Sequence, residues 1–248
     1  MIKRALGLLI LVSTAACVSQ GGGHPLINPT EKLTVFAASS LQLPFNTIAR
    51  QLPTMSVTVM YAGTQTLTSQ LLQGAQADVF ASADTAHMRS LQDAGLVAGQ
   101  PRLFAHNRLE IVVEKGNPKG IHSLADLARP GIVVVLADPS VPAGKYAQQS
   151  LAKAGVTVHA KSLEPQVTGV LSKVVLGEAD AGIVYVSDIV TSGKVDGVAI
   201  PDSQNVVADY PIAELADASN RSAAQAFIDY VLSPDGQSLL AASGFEKA

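Results

Sequence analysis

Short runs of apolar residues punctuate the chain from Leu33 onward: LTVFA (33 to 37), SVTVM (56 to 60), DVFAS (78 to 82), RLEIVVE (108 to 114), IVVVLA (132 to 137) and GIVYV (182 to 186). Several are apolar through consecutive positions instead of alternating, as strands buried on both faces must be. Between them lie stretches with helical period. TQTLTSQLLQG (64 to 74) sets Leu67, Leu71 and Leu72 along one face and stops at Gly74; AGKYAQQSLAKAG (143 to 155) does the same with Tyr146, Leu151 and a closing Gly155. Apolar strands joined by helical crossovers predict a mainly parallel sheet covered by helices, so the fold class is α/β.

The order of these segments predicts two lobes. The strand at 108 to 114 runs into GNPKG (116 to 120), a turn-rich break, and a second βα series extends to about Ile200. VVADYPIAEL (206 to 215) is extended and is followed only by two helical segments, 220 to 233 and 234 to 243. The expected division is therefore lobe I from 33 to 108 plus 209 to 248 and lobe II from 109 to 208, joined by two crossing strands that act as a hinge.

The N-terminus reads differently. MIKRALGLLILVSTAAC (1 to 17) has Lys3 and Arg4, then an apolar run, then small residues. That is a secretory signal of 1 to 16, too short for a transmembrane helix of about 20 residues. Thr14, Ala15 and Ala16 before Cys17 resemble a lipobox, although the usual Leu three before the cysteine is absent. The expectation is a lipoprotein acylated on Cys17, with 17 to 32 as a Gly- and Pro-containing tether holding a folded body off the outer face of the cytoplasmic membrane.

Composition narrows the chemistry. Cys17 is the one cysteine, which excludes an intramolecular disulfide and every multi-cysteine zinc site. Lys and Arg number 17 against 20 Asp and Glu, a net charge of -3, and cleavage of the leader removes two of those cations. A mildly acidic surface gives no footprint for nucleic acid. No GxSxG elbow, HExxH, Walker A loop or GxGxxG motif occurs, and the five histidines are scattered singly, so catalysis has little support. Small and hydroxyl residues do recur where strands meet helices: AASSL (37 to 41), AGTQT (62 to 66) and SVPAG (140 to 144). Each alone reads as an ordinary N-cap. Several facing one crevice would make an anion site without Lys or Arg, because helix N-termini present unpaired N–H groups and partial positive charge.

VFAASSL (35 to 41), YAGTQTLTSQLLQGAQADVFASAD (61 to 84), DPSVPAG (138 to 144), EPQVTGVLSKVVLGEADAGIVYVSD (164 to 188) and SGF (243 to 245) together resemble the molybdate-binding proteins of bacterial ABC importers, over essentially 33 to 246. The resemblance implies a two-lobed periplasmic-binding-protein fold of type II that closes around one tetrahedral oxyanion, works as a monomer, has no cofactor, and delivers molybdate or tungstate to a membrane permease. It implies ligand donors at Ser40, Thr64 and Tyr185 through their hydroxyls and at Ala143 and Val167 through their backbone N–H groups. Thr64 stands where serine is more usual and preserves the hydroxyl; Gln65 beside it departs from the usual loop. Molybdate is fully deprotonated at neutral pH and can only accept hydrogen bonds, so its site should hold donors and no carboxylate. A sulfate receptor follows the same donor logic. An enzyme using Tyr185 or Ser40, and a lipoprotein that senses a ligand for a membrane partner, are the rivals from other classes.

Overall fold

The computed structural model describes residues 31–248; the expected leader, Cys17 and most of the tether lie outside the described residues. Strand β1 (Glu31–Ala38) begins two residues inside the segment expected as tether. The chain continues through a 3-10 turn (Ser39–Leu41), α1 (Gln42–Arg50), β2 (Met55–Ala62), α2 (Thr64–Leu72), β3 (Val79–Ala81), α3 (Thr85–Asp93) and the long β4 (Arg102–Glu114). A second series follows: β5 (Val134–Ala137), α4 (Pro142–Ala154), β6 (Ser162–Glu164), α5 (Val167–Val175), β7 (Ala181–Tyr185), α6 (Val186–Ser192) and β8 (Val195–Ala199). Strand β9 (Val207–Glu214) then leads to α7 (Arg221–Leu232) and α8 (Pro234–Ala242).

Nine strands join along the path β2-β1-β3-β9-β4-β7-β5-β6, with β8 pairing β4 off that path. The pairing divides this sheet into two copies of one topology. In the first, β1 lies between β2 and β3, all parallel, and the antiparallel β9 separates β3 from β4. In the second, β5 lies between β6 and β7, all parallel, and the antiparallel β4 separates β7 from β8. Strand β4 belongs to both, pairing β9 from Arg102 to Arg108 and β7 from Leu109 to Val113. The two lobes of an α/β binding fold are these two copies, each burying its strands beneath helices.

Where β4 changes partners, its polar backbone would be orphaned between the end of β8 and the start of β9. Asn205 fills that gap: its amide oxygen accepts from Leu109 N–H at 3.1 Å and its Nδ2 donates to Leu109 O at 2.8 Å. A side chain thus stands in for a missing strand neighbour, as a buried N–H and C=O require. One contiguous apolar core passes through this crossing and includes Leu33, Phe45 and Ile212 as well as Ile183 and Val170, while a smaller cluster under α2 and α3 holds Phe36, Leu67, Leu71, Phe80 and Met88.

Differences from expectation have physical reasons. Leu72 does not share the buried face of Leu67 and Leu71; it is 52% exposed, because i+5 from Leu67 has rotated away from the core. Strand β8 reads VDGVA, and its inserted Asp and Gly hide its extended character. Strand β6 has only three residues. Helices α1, α3, α5 and α6 cover the sheet where no explicit helix was expected. Gly155 does close α4, in the left-handed conformation at φ 66°.

Gly182 in β7 is a packing requirement: a Cβ there would overlap Val170 Cγ1 and stand 2.8 Å from the carbonyl oxygen of Val135. Gly182→Ala is expected to lower unfolding free energy by about 1–3 kcal/mol through overpacking, read as a reduced urea midpoint at unchanged m value.

Candidate functional site

The structure brings Ser40, Thr64, Ala143, Val167 and Tyr185 to the wall of one small cavity between the two copies of the fold. Its other lining residues are Ala38, Ser39, Gly63, Ala83, Val141 and Pro142, so no lining residue carries a charge. The space is about 10 Å³, room for about one water. A wider groove of about 530 Å³ shares Ser39 and Ser40 and runs between α1 and the pair α5 and α6. Asp188, Lys194 and leucine side chains line it, which makes it chemically unlike the small cavity.

Each wall segment is a strand end turning into a helix. The first turns of α2, α4 and α5 have no side chain capping them, their N-cap positions being Gly63, Val141 and Gln166. Helices α7 and α8, away from the cavity, are capped by Asn220 and Ser233, and α3, which begins beside the lining residue Ala83, is capped by Asp84. The N–H groups of Thr64, Ala143 and Val167 occupy the first or second helical position, where the helix offers no acceptor. Three N-termini with unused donors therefore border one cavity, each adding its partial positive charge. Gly144 lets α4 start hard against β5, since a Cβ there would overlap the carbonyl oxygens of Ala137 and Asp138.

The hydroxyls are prepared as donors. Thr64 Oγ1 accepts from Ala83 N–H at 3.2 Å, leaving its own proton to give. Ser40 Oγ lies 2.9 Å from the Tyr210 hydroxyl, which can donate to it and free the serine proton in the same way. The Tyr185 hydroxyl is buried without a hydrogen-bond partner, an arrangement that costs free energy until something accepts from it. Burial pushes the phenols of Tyr185 and Tyr210 well above the ordinary tyrosine value, so both keep their protons. Tyr185 is both the last residue of β7 and the N-cap of α6, and its backbone N–H is held by Asp188 Oδ2 at 3.0 Å. Its ring meets Tyr210 edge to face at 5.9 Å, and Tyr210 packs in turn on Phe104 and Phe245.

Tyr210 and Asp188 were not singled out in the sequence. Tyr210 sits in an apolar strand with nothing local to mark its hydroxyl, and nothing in the residues around Asp188 marks its burial. Burial raises the Asp188 carboxyl to about 7 against the pull of the Tyr185 N–H.

A two-lobed α/β body with a cavity at its interlobe cleft whose lining carries no charged residue has the architecture of a solute-binding protein. Residues 33–246 match the bacterial extracellular solute-binding proteins, and the chain belongs to that family. It is 43% identical over 257 residues, 99% of this chain and 98% of the relative, to the molybdate-binding protein ModA of Mycobacterium tuberculosis strain H37Rv. It is 32% identical, over 86% of this chain and 88% of the relative, to the molybdate-binding protein ModA of Escherichia coli K12. The sulfate-binding protein SubI of Mycobacterium tuberculosis H37Rv shares the fold at a TM-score of 0.81 and 21% identity, covering 88% of this chain and 87% of that one. Among the described residues no helix is long and apolar enough to cross a membrane, and no group of His, Cys, Asp and Glu could hold a metal ion.

A carboxyl raised from its unfolded value near 4 to about 7 binds more protons in the folded state, so stability falls as pH rises between those values. Asp188→Asn removes that loss while keeping an oxygen for Tyr185 N–H. Urea unfolding should find the variant no more stable than the parent at pH 4 and more stable by roughly 2–4 kcal/mol at pH 8.

Proposed function

We propose that the protein captures molybdate, and tungstate equally, outside the cytoplasmic membrane and delivers it to the permease of an ABC importer. The observation that carries this reading is the unpartnered, buried Tyr185 hydroxyl facing a cavity whose walls hold donors and no charged group. Molybdate accepts from every direction and needs no protein acceptor. Phosphate near neutral pH keeps a proton that would need one, and none of the five proposed ligand residues supplies a carboxylate. The names of the two molybdate-binding relatives favour molybdate over sulfate, for which the likeness is one of fold alone.

Ser40 and Thr64 bind from lobe I, and Ala143, Val167 and Tyr185 from lobe II. The ion meets all five donors only in the closed cleft, so binding shifts the population toward closure about the crossings near 108 and 208. The permease recognises that closed form. Anchoring by an acylated Cys17 keeps the monomeric receptor at the outer face of the membrane. The pocket needs no cofactor, and no step of this cycle is chemical.

Calorimetric titration with molybdate, tungstate, sulfate and phosphate tests the reading. One-to-one binding of the first two, with sulfate and phosphate at least a hundredfold weaker, is expected; equal sulfate affinity or no binding refutes it. Ser40→Ala and Thr64→Ala should each weaken molybdate about ten- to a hundredfold, the range for losing a charge-assisted donor. Val167→Pro removes a backbone donor at a first helical position, and Gln166 before it is already extended at φ -159° and ψ 155°, as a residue preceding proline must be. It should lose a similar factor, with thermal unfolding measured beside it because the Val167 side chain is buried in the core, and unchanged affinity would remove Val167 from the site.

A further inference from the structure

The residue beside the proposed ligand Thr64 spans the cleft. Gln65 Nε2 donates to the backbone carbonyl of Pro165 at 2.8 Å, a bond between residues one hundred positions apart in sequence. Pro165 lies between β6 and α5, two residues before Val167, whose N–H is a proposed ligand donor. Gln65 therefore ties the segment that presents the Thr64 hydroxyl in one lobe to the segment that presents the Val167 N–H in the other.

Gly63 makes the bond possible by clearance. A Cβ on Gly63 would stand 2.5 Å from the Pro165 carbonyl oxygen and 2.6 Å from Gln65 Nε2, closer than any real contact allows. Its backbone, at φ -58° and ψ 138°, is open to any residue, so conformation is not what calls for glycine. The space is occupied by the bond itself and by the approach of the opposite lobe. Gln65 Oε1 is buried with no partner, so the amide is held in this orientation by what its nitrogen gains.

We infer that Gln65 is a closure latch: its amide, admitted by Gly63, holds the Pro165 loop across the cleft and sets how long the closed, loaded state lasts. Gln65 is a positioning residue, outside the lining of the cavity. The inference rests on the reading that the lobes close around an oxyanion, but the latch bond itself needs no ligand.

Its test uses the purified protein and two readouts. Release of molybdenum-99 molybdate into excess unlabelled molybdate, followed by rapid filtration, reads the lifetime of the loaded state. Hydrogen–deuterium exchange over 164 to 169 in protein free of molybdate reads the latch alone. Gln65→Met, which keeps the packing and loses the donor, should release molybdate roughly three- to tenfold faster, the worth of one neutral hydrogen bond, with association unchanged within twofold. It should also exchange faster over 164 to 169. Gly63→Ala should release faster still, because the lobes can no longer meet. Release and exchange equal to the parent in Gln65→Met, or parental molybdate affinity in Gly63→Ala, would overturn the latch. If the parent retains no molybdate while Gln65→Met still speeds exchange over 164 to 169, the latch stands and the choice of ligand falls.

Discussion

Three helices and a 3-10 turn begin around one small cavity, and none of them is given a side chain to accept its first N–H groups. Away from the cavity the caps are ordinary: Asn220 takes Ala223 N–H at 3.1 Å and Ser233 takes Gly236 N–H at 3.2 Å, while Asp84, next to the lining residue Ala83, takes His87 N–H at 2.9 Å. Omitting a cap costs a helix about 1 kcal/mol, so leaving several uncapped at one point is a concentrated deficit. One acceptor reaching all of them would satisfy that deficit together. The positions of Gly63, Val141 and Gln166, none of which caps through its side chain, follow from this one requirement, as does the unpartnered phenol of Tyr185.

Strand β4 lets the donors be divided between two bodies that still share a core. It runs through both copies of the topology, so separation of the lobes must bend the chain near Arg108 and not break a sheet. The crossing is braced at several levels. Asn205 completes the backbone pairing of Leu109, Asn107 Nδ2 donates to Ser187 Oγ at 2.8 Å, and Arg108 reaches Glu246 at 2.7 Å and Asp202 at 2.8 Å. The two arginine contacts are at the surface and contribute little to stability, but they join the C-terminal segment to the far lobe through the hinge residue itself. Buried amides set the geometry, and exposed ion pairs can exchange as the lobes move.

The chain announces its strands because burial on both faces demands unbroken apolar runs, and β1, β5 and β7 carry them. It conceals β8, where Asp196 and Gly197 interrupt the run. No repeat is visible in the residues, yet the two lobes duplicate one strand order, since topology depends on where apolar runs and turns fall and not on which residues fill them. The five proposed ligand residues could be assembled in advance only because their loops resemble a known set in order and spacing. The contacts of Tyr210 and Gln65 were beyond reach: their partners lie 170 and 100 positions away, and no local pattern encodes such a contact.

Long-range contacts of this kind also explain how the two halves of the pocket keep register. Ser40 is fixed by the Tyr210 hydroxyl at 2.9 Å, and the Tyr210 ring stands edge to face on Tyr185, so a hydroxyl of lobe I and a hydroxyl of lobe II are set against one aromatic side chain from β9. Tyr185 is then pinned at its backbone by Asp188, a carboxyl whose position raises its pKa to about 7 and so lowers its charge beside the cavity. A fully ionised group there would oppose the field of the helix N-termini. Raised by burial, and lining the neighbouring groove in place of the cavity wall, Asp188 orients a donor at reduced cost to the potential that an anion would meet.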